Sequence, residues 1–152
     1  MAVWPSWPAI EAMNTHAELP AKPVPDVTPE SAPYWEGLRQ HKLLLQACAD
    51  CGQIRHYPRA VCATCYSIAV TWIEANGAGT IQSWTVAHHP FHPGFKIEVP
   101  YALLLVDLAE GVRVNAPLRG DPAGLQLGRA VRLIFENGGQ GFVLPAFEYS
   151  AE

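Results

Sequence analysis

Read as a pattern of apolar and polar positions, the chain changes character three times. Residues 1–27 mix proline, alanine and scattered charge with no apolar period, which predicts a flexible extension. Its tryptophans, Trp4 and Trp7, stand in an unstructured tail unless a partner covers them. Residues 28–41 then open on Thr28-Pro29-Glu30-Ser31, which supplies a threonine to cap, a proline for the first helical position and a carboxylate for the first turn. Tyr34, Trp35 and Leu38 follow at helical spacing, so the pattern predicts one short helix with a single apolar side.

Beyond the helix the period shortens. Residues 42–47, 54–58 and 70–75 read as strands arranged around two cysteine pairs. After Gly77 come five further strand candidates, at 79–88, 101–107, 112–118, 130–135 and 142–147, each rich in β-branched or aromatic residues. Ala109-Glu110-Gly111 makes a hairpin turn, and Gly120-Asp121-Pro122 with Gly128 opens the next connection. A sheet this small must curl to hide its edges, which predicts a closed or nearly closed barrel of the OB type. The expected architecture is mainly β: an arm over 1–27, a helix over 28–41, a cysteine-bearing ribbon over 42–75 and a small five-stranded OB-fold barrel over 76–150.

Composition agrees with a β-rich chain. Fourteen prolines and twelve glycines in 152 residues weigh against a helical protein, because proline removes a backbone donor and glycine weakens helix interiors. The formal net charge is −4, and a metal centre held by four thiolates adds roughly two further negative charges, so phosphate backbones are not expected as partners. The opening residues carry no cationic start followed by an apolar run, and the longest apolar stretch, 101–106, is too short to cross a bilayer. A cytoplasmic protein with no membrane partner is expected. In that reducing compartment four cysteines read as metal ligands sooner than as disulfides.

Cys48-Ala49-Asp50-Cys51 and Cys62-Ala63-Thr64-Cys65 have the two-residue spacing at which a pair of sulfurs turns toward one point while backbone N–H groups donate to the thiolates. Gly52 supplies the positive φ that such a turn needs. Four sulfur ligands leave no open coordination position, so the expected ion is a structural Zn2+, one per chain; iron in a rubredoxin-like setting and redox-active cysteines are the alternatives. The metal should supply folding free energy on the order of 10 kcal/mol. Arg55, His56 and Arg59 lie between the pairs, where they either offset thiolate charge or meet phosphates of a nucleotide-like group.

The segment from His88 to Phe95 holds His88, His89 and His92 among prolines and aromatics. No carboxylate completes a second metal site there, and no nucleophile stands nearby, so a recognition surface at the barrel mouth is the expectation. The sequence contains no nucleophile elbow, phosphate-binding loop or dinucleotide fingerprint.

The ordered set of a helix with Trp35, a ribbon with Tyr57-Pro58-Arg59 before Cys62, the Gly79-Thr80-Ile81 opening of a strand, Pro100-Tyr101, and Gly128 before Val131 resembles one family. That family is the zinc-ribbon plus OB-fold proteins catalogued as domain of unknown function 35 and associated with acyl-CoA metabolism, and the resemblance covers residues 28–147. It implies a non-catalytic accessory subunit of a thiolase-like enzyme, stabilising the partner and helping to form its acyl-CoA site. The four cysteines carry over as metal ligands. Arg55 and Arg59 carry over as neighbours of coenzyme A phosphates, and Trp35, His89, Phe91 and Phe95 as contacts to the partner or acyl group. Two other functions fit the modules: a single-stranded nucleic-acid binder, and a small acyl-CoA hydrolase using His89.

Overall fold

The structure is a computed structural model, and it describes residues 20–150. Trp4 and Trp7 lie outside the described residues. One helix, α1 (Ala32–Arg39), precedes a three-stranded antiparallel sheet of β1 (Leu44–Cys48), β2 (Ile54–Arg55) and β3 (Val70–Glu74), ordered β2-β1-β3. A second, five-stranded sheet follows: β4 (Ala78–Ala87), β5 (Tyr101–Leu108), β6 (Arg113–Pro117), β7 (Ala130–Gly139) and β8 (Phe142–Tyr149), ordered β6-β5-β4-β7-β8.

The second sheet curls as its size requires. A register shift between Ile81 and Ser83 bends β4. The two edges then meet: Leu118 bridges Phe147 in parallel, and the Arg119 N–H donates to the Phe147 carbonyl at 2.7 Å. The expected OB-type barrel is therefore present, joined at its outer strands by this short contact. Along β5 every second residue, Ala102, Leu104, Val106 and Leu108, faces inward and is buried. These side chains interlock with Ile81, Val114, Val131 and Phe147.

The helix starts later than the sequence pattern predicts. Thr28 does not cap it; residues 28–31 form a turn in which the Thr28 N–H donates to Ser31 Oγ at 3.0 Å, and Ser31 is the N-cap. The second proline, Pro33, is the cause. Its missing N–H is harmless only in the first helical turn, so a helix begun at Pro29 would have broken there. At the other end His41 adopts a positive φ of 57°, and the Lys42 N–H returns to the Gly37 carbonyl. Gly37 is required: a Cβ there would lie 2.6 Å from Leu44 Cγ.

The apolar side of α1 is spent inside the chain. Tyr34, Trp35 and Leu38 join Leu43 and Leu45 and the barrel residues in one continuous core. The ribbon and barrel are thus fused through shared packing. Within the segment before α1, Lys22 pairs with Glu98, and Gln140 Nε2 donates to the Lys22 carbonyl at 3.3 Å.

Phe147 is fully buried where the barrel edges meet. Phe147→Ala is expected to cost about 3–5 kcal/mol in urea unfolding, whereas Leu127→Ala, at a position 70% exposed, stays within about 0.5 kcal/mol.

Candidate metal centre and its surroundings

The two cysteine pairs converge from opposite ends of the ribbon. Cys48 closes β1 and Cys51 ends the following turn, while Cys62 and Cys65 occupy the loop between β2 and β3. All four Sγ atoms lie within 4.8 Å of one another, with Cys48–Cys65 at 3.5 Å and Cys51–Cys62 at 3.7 Å. A zinc–sulfur bond of roughly 2.3 Å places tetrahedral sulfurs about 3.8 Å apart, so the four thiols fit a single ion.

Each pair is shaped by the same local hydrogen bonding. Backbone N–H groups of Cys51 and Asp50 donate to the Cys48 sulfur and lower its pKa; those of Cys65 and Thr64 hold the Cys62 thiol down to about 6. The turns close with Gly52 N–H on the Cys48 carbonyl at 3.0 Å and Tyr66 N–H on the Cys62 carbonyl at 2.9 Å. Gly52 has a φ of 73°, as its position predicts, and Tyr66 takes the matching left-handed conformation at 60° in the second knuckle. Cys48 and Cys62 are buried and Cys51 and Cys65 exposed, so the sulfurs bridge the core and the surface.

The ribbon arginines separate into different roles. Arg55 is buried, and its Nε donates to Gln46 Oε1 at 2.5 Å. The same oxygen accepts the Arg59 N–H at 2.9 Å, and Arg55 NH2 reaches the Arg59 carbonyl at 3.4 Å. Gln46 therefore ties β1 to β2 and to the approach to Cys62. Sequence reasoning missed it, although a lone amide in the run Leu43-Leu44-Leu45-Gln46-Ala47-Cys48 is a signal that a buried partner waits for it. The Arg55 guanidinium gives Nε and NH2 to this network and keeps NH1 buried without a partner, while Arg59 lies at the exposed surface.

Trp35 sits where α1 meets the ribbon. It is 9% exposed, and its Nε1–H donates to the Tyr57 hydroxyl at 2.9 Å, pinning α1 to the ribbon. His56 is half-buried beside the Tyr34 ring, 5.4 Å between centroids, with Nε2 buried and unpartnered. Burial pushes its pKa down to about 4, against the smaller opposing effect of the Arg113 backbone that hydrogen-bonds the ring.

The loop residues stand apart from the metal site, on the barrel. His89 and Phe91 stack edge to face at 5.6 Å, and Phe91 is 87% exposed. Phe95 turns inward instead, 6.1 Å from Tyr101, with Lys22 over its ring.

A four-sulfur ribbon fused through one core to an OB-type barrel defines a two-module zinc-ribbon protein. Residues 35–70 match the family described as "ChsH2, rubredoxin-like zinc ribbon domain", and residues 72–136 match "ChsH2, C-terminal OB-fold domain". The chain belongs to this ChsH2 family, also known as domain of unknown function 35. It is similar to the "Ltp2-ChsH2(DUF35) aldolase", with 36% identity and a TM-score of 0.78 over 84% of this chain and 100% of that one. It is 37% identical over 83% of its length to a "Probable enoyl-CoA hydratase alpha subunit" of Thermomonospora curvata, and spans only 39% of that relative. A "DUF35 domain-containing scaffold protein" of Methanothermobacter thermautotrophicus is 28% identical over 79% of this chain and 95% of its own length.

Gln46→Leu removes the one acceptor shared by two donors, one of them on a buried charge, and is expected to destabilise the chain by about 2–4 kcal/mol, read as a lower unfolding midpoint in urea. A second expectation concerns pH. The His56 pKa is depressed on folding, so the unfolded chain takes the proton first, and the stability owed to neutral His56 is present above about pH 6.5 and lost as pH falls toward about 4. The loss reaches up to about 3 kcal/mol. Urea unfolding of the natural chain and of His56→Phe across this range should show the extra slope in the natural chain only.

Proposed function

We propose that this chain is a non-catalytic accessory subunit that docks on a thiolase-like enzyme and helps to form its acyl-CoA site. The observation that carries the reading is the closed four-sulfur set inside a family match covering both modules. A metal with every coordination position taken by thiolate neither activates water nor polarises a carbonyl, so it fastens the ribbon and leaves chemistry to a partner. The relative named as a scaffold protein and the relative solved as part of an aldolase support an assembly role. The thiolase-like nature of the partner follows from the family resemblance. The reducing cytoplasm is the compartment in which the four thiols stay available to metal. Among the described residues no helix is long and apolar enough to cross a membrane.

In this reading the exposed loop supplies the docking contacts. Phe91 is 87% exposed and Ile97 80% exposed, two large apolar side chains of the β4–β5 loop that an interface would cover. His89 supports the Phe91 ring from its edge. Arg59, exposed on the ribbon, and Arg55, whose NH1 has no partner in the chain, are the arginines that would meet coenzyme A phosphates.

Co-expression with a thiolase-like protein encoded beside this chain should give one complex on a sizing column, and Phe91→Glu should weaken it by about tenfold or more. Separate elution, together with thiolase activity indifferent to this chain, would overturn the reading.

A further inference from the structure

Where the ribbon meets the barrel, a cleft of about 580 Å³ is lined by Ile54, Arg55 and His56 from the ribbon and by Asp107, Val112 and Arg113 from the β5–β6 hairpin. β5 leaves the β4–β5 loop at Tyr101 and reaches this cleft only at Asp107, about 20 Å along the strand. The two ribbon residues that line it with polar side chains each keep one nitrogen buried without a hydrogen bond, NH1 of Arg55 and Nε2 of His56. A third such atom, Glu110 Oε2, sits on the hairpin turn outside the lining, and its carboxylate is turned to the Asn76 N–H at 2.7 Å.

The two nitrogens need opposite partners. NH1 of a guanidinium only donates, so it lacks an acceptor. The His56 ring donates to the Arg113 backbone, and burial keeps the ring neutral, so its proton is on Nδ1 and Nε2 is a bare acceptor that lacks a donor. The missing group must therefore accept and donate at once. Water does both and leaves a charge unbalanced: Arg55 is 9% exposed, and its other nitrogens donate to the neutral oxygens of Gln46 and Arg59. Asp107 is already committed to Arg113 at 2.7 Å. Arg55 and Arg113 against Asp107 thus leave one positive charge over in the lining.

An anion that keeps a hydroxyl matches this set. A carboxylate and a phosphate diester offer acceptors only, whereas a terminal phosphate in its singly protonated form presents P–O⁻ to Arg55 and P–O–H to His56. Such a phosphate loses its second proton near about pH 6, so the protonated form is at hand close to neutrality. The cleft is larger than one phosphate fills, and Ile54 and Val112 add apolar wall for the rest of a nucleotide.

We propose that the ribbon–barrel cleft binds the terminal phosphate of a nucleotide, whose oxygens accept from Arg55 and whose hydroxyl donates to His56. Coenzyme A carries one terminal phosphate, on the 3′ oxygen of its ribose, besides a pyrophosphate that is esterified at both ends. That carrier rests on the reading under Proposed function; the preference for a terminal phosphate follows from the two nitrogens and the charge left over.

The test is an amide NMR titration of the full zinc-loaded chain with 3′-AMP up to ~10 mM, beside 3′,5′-cyclic AMP, in which the same phosphate is a diester. Saturable shifts clustered on Arg55, His56, Val112 and Arg113 are expected with 3′-AMP, with the cyclic nucleotide and inorganic phosphate each at least about tenfold weaker. Coenzyme A should likewise bind at least about tenfold more tightly than 3′-dephospho-coenzyme A. Arg55→Met should abolish the response, His56→Phe should erase the discrimination between 3′-AMP and its cyclic form, and Arg132→Gln should change neither. Asp107→Asn, which takes the carboxylate out of the cleft, should tighten 3′-AMP several-fold, and this keeps the proposal testable if Arg55→Met misfolds. No saturable shifts, shifts clustered elsewhere, or cyclic AMP or inorganic phosphate binding as tightly as 3′-AMP would overturn the site. Equal binding of the two coenzymes, with 3′-AMP still selected, would overturn coenzyme A as the carrier. The titration uses this chain alone, so complex formation with a thiolase-like protein is a separate result, and either can fail without the other.

Discussion

Four thiol sulfurs held within 4.8 Å of one another are the constraint on which the ribbon depends. The three-stranded sheet around them is small: β2 has two residues, and β3 exposes most of its side chains. Strands this short bury too little apolar surface to offset the entropy of ordering them. A shared ion replaces that missing core, because its bonds form only when both knuckles are folded and turned inward. Gln46 extends the order away from the sulfurs, since one amide oxygen fixes both Arg55 and the Arg59 backbone.

The same ribbon is continuous with the barrel. Leu43 and Leu45 beside the first cysteine, and Tyr34, Trp35 and Leu38 on α1, belong to one core with Leu104, Val106 and Phe147. Trp35 carries this coupling further through its hydrogen bond to Tyr57 on the ribbon. Fastening the metal therefore also sets where the barrel sits, and with it the exposed Phe91 loop. In the proposed assembly the chain acts as a rigid bracket, and its chemistry is presentation.

What could be read from the sequence was local or strictly periodic. The cysteine spacing is a property of two four-residue turns, and β5 alternates so regularly that its inward side is evident from Ala102 to Leu108. Thr28 misled because two prolines compete for one first helical turn and the pattern does not say which wins. The Arg55–Gln46 pair was not legible because the two residues lie nine positions apart on different strands. The contact between Gln140 and Lys22 spans 118 positions, and no local pattern announces a bond between the segment before α1 and the β7–β8 hairpin. Tyr66 adopted the glycine-like conformation of the second knuckle because the turn geometry requires it, against its own preference.

Hydrogen exchange of the metal-loaded chain, compared with the same chain after chelation, tests the central claim most directly. The account expects one tightly held ion per chain, with amides of β2, β3 and the two cysteine turns losing most protection on its removal and β1 and the barrel strands, which share one core, losing less. A chain that purifies without metal and still protects its ribbon amides would contradict it.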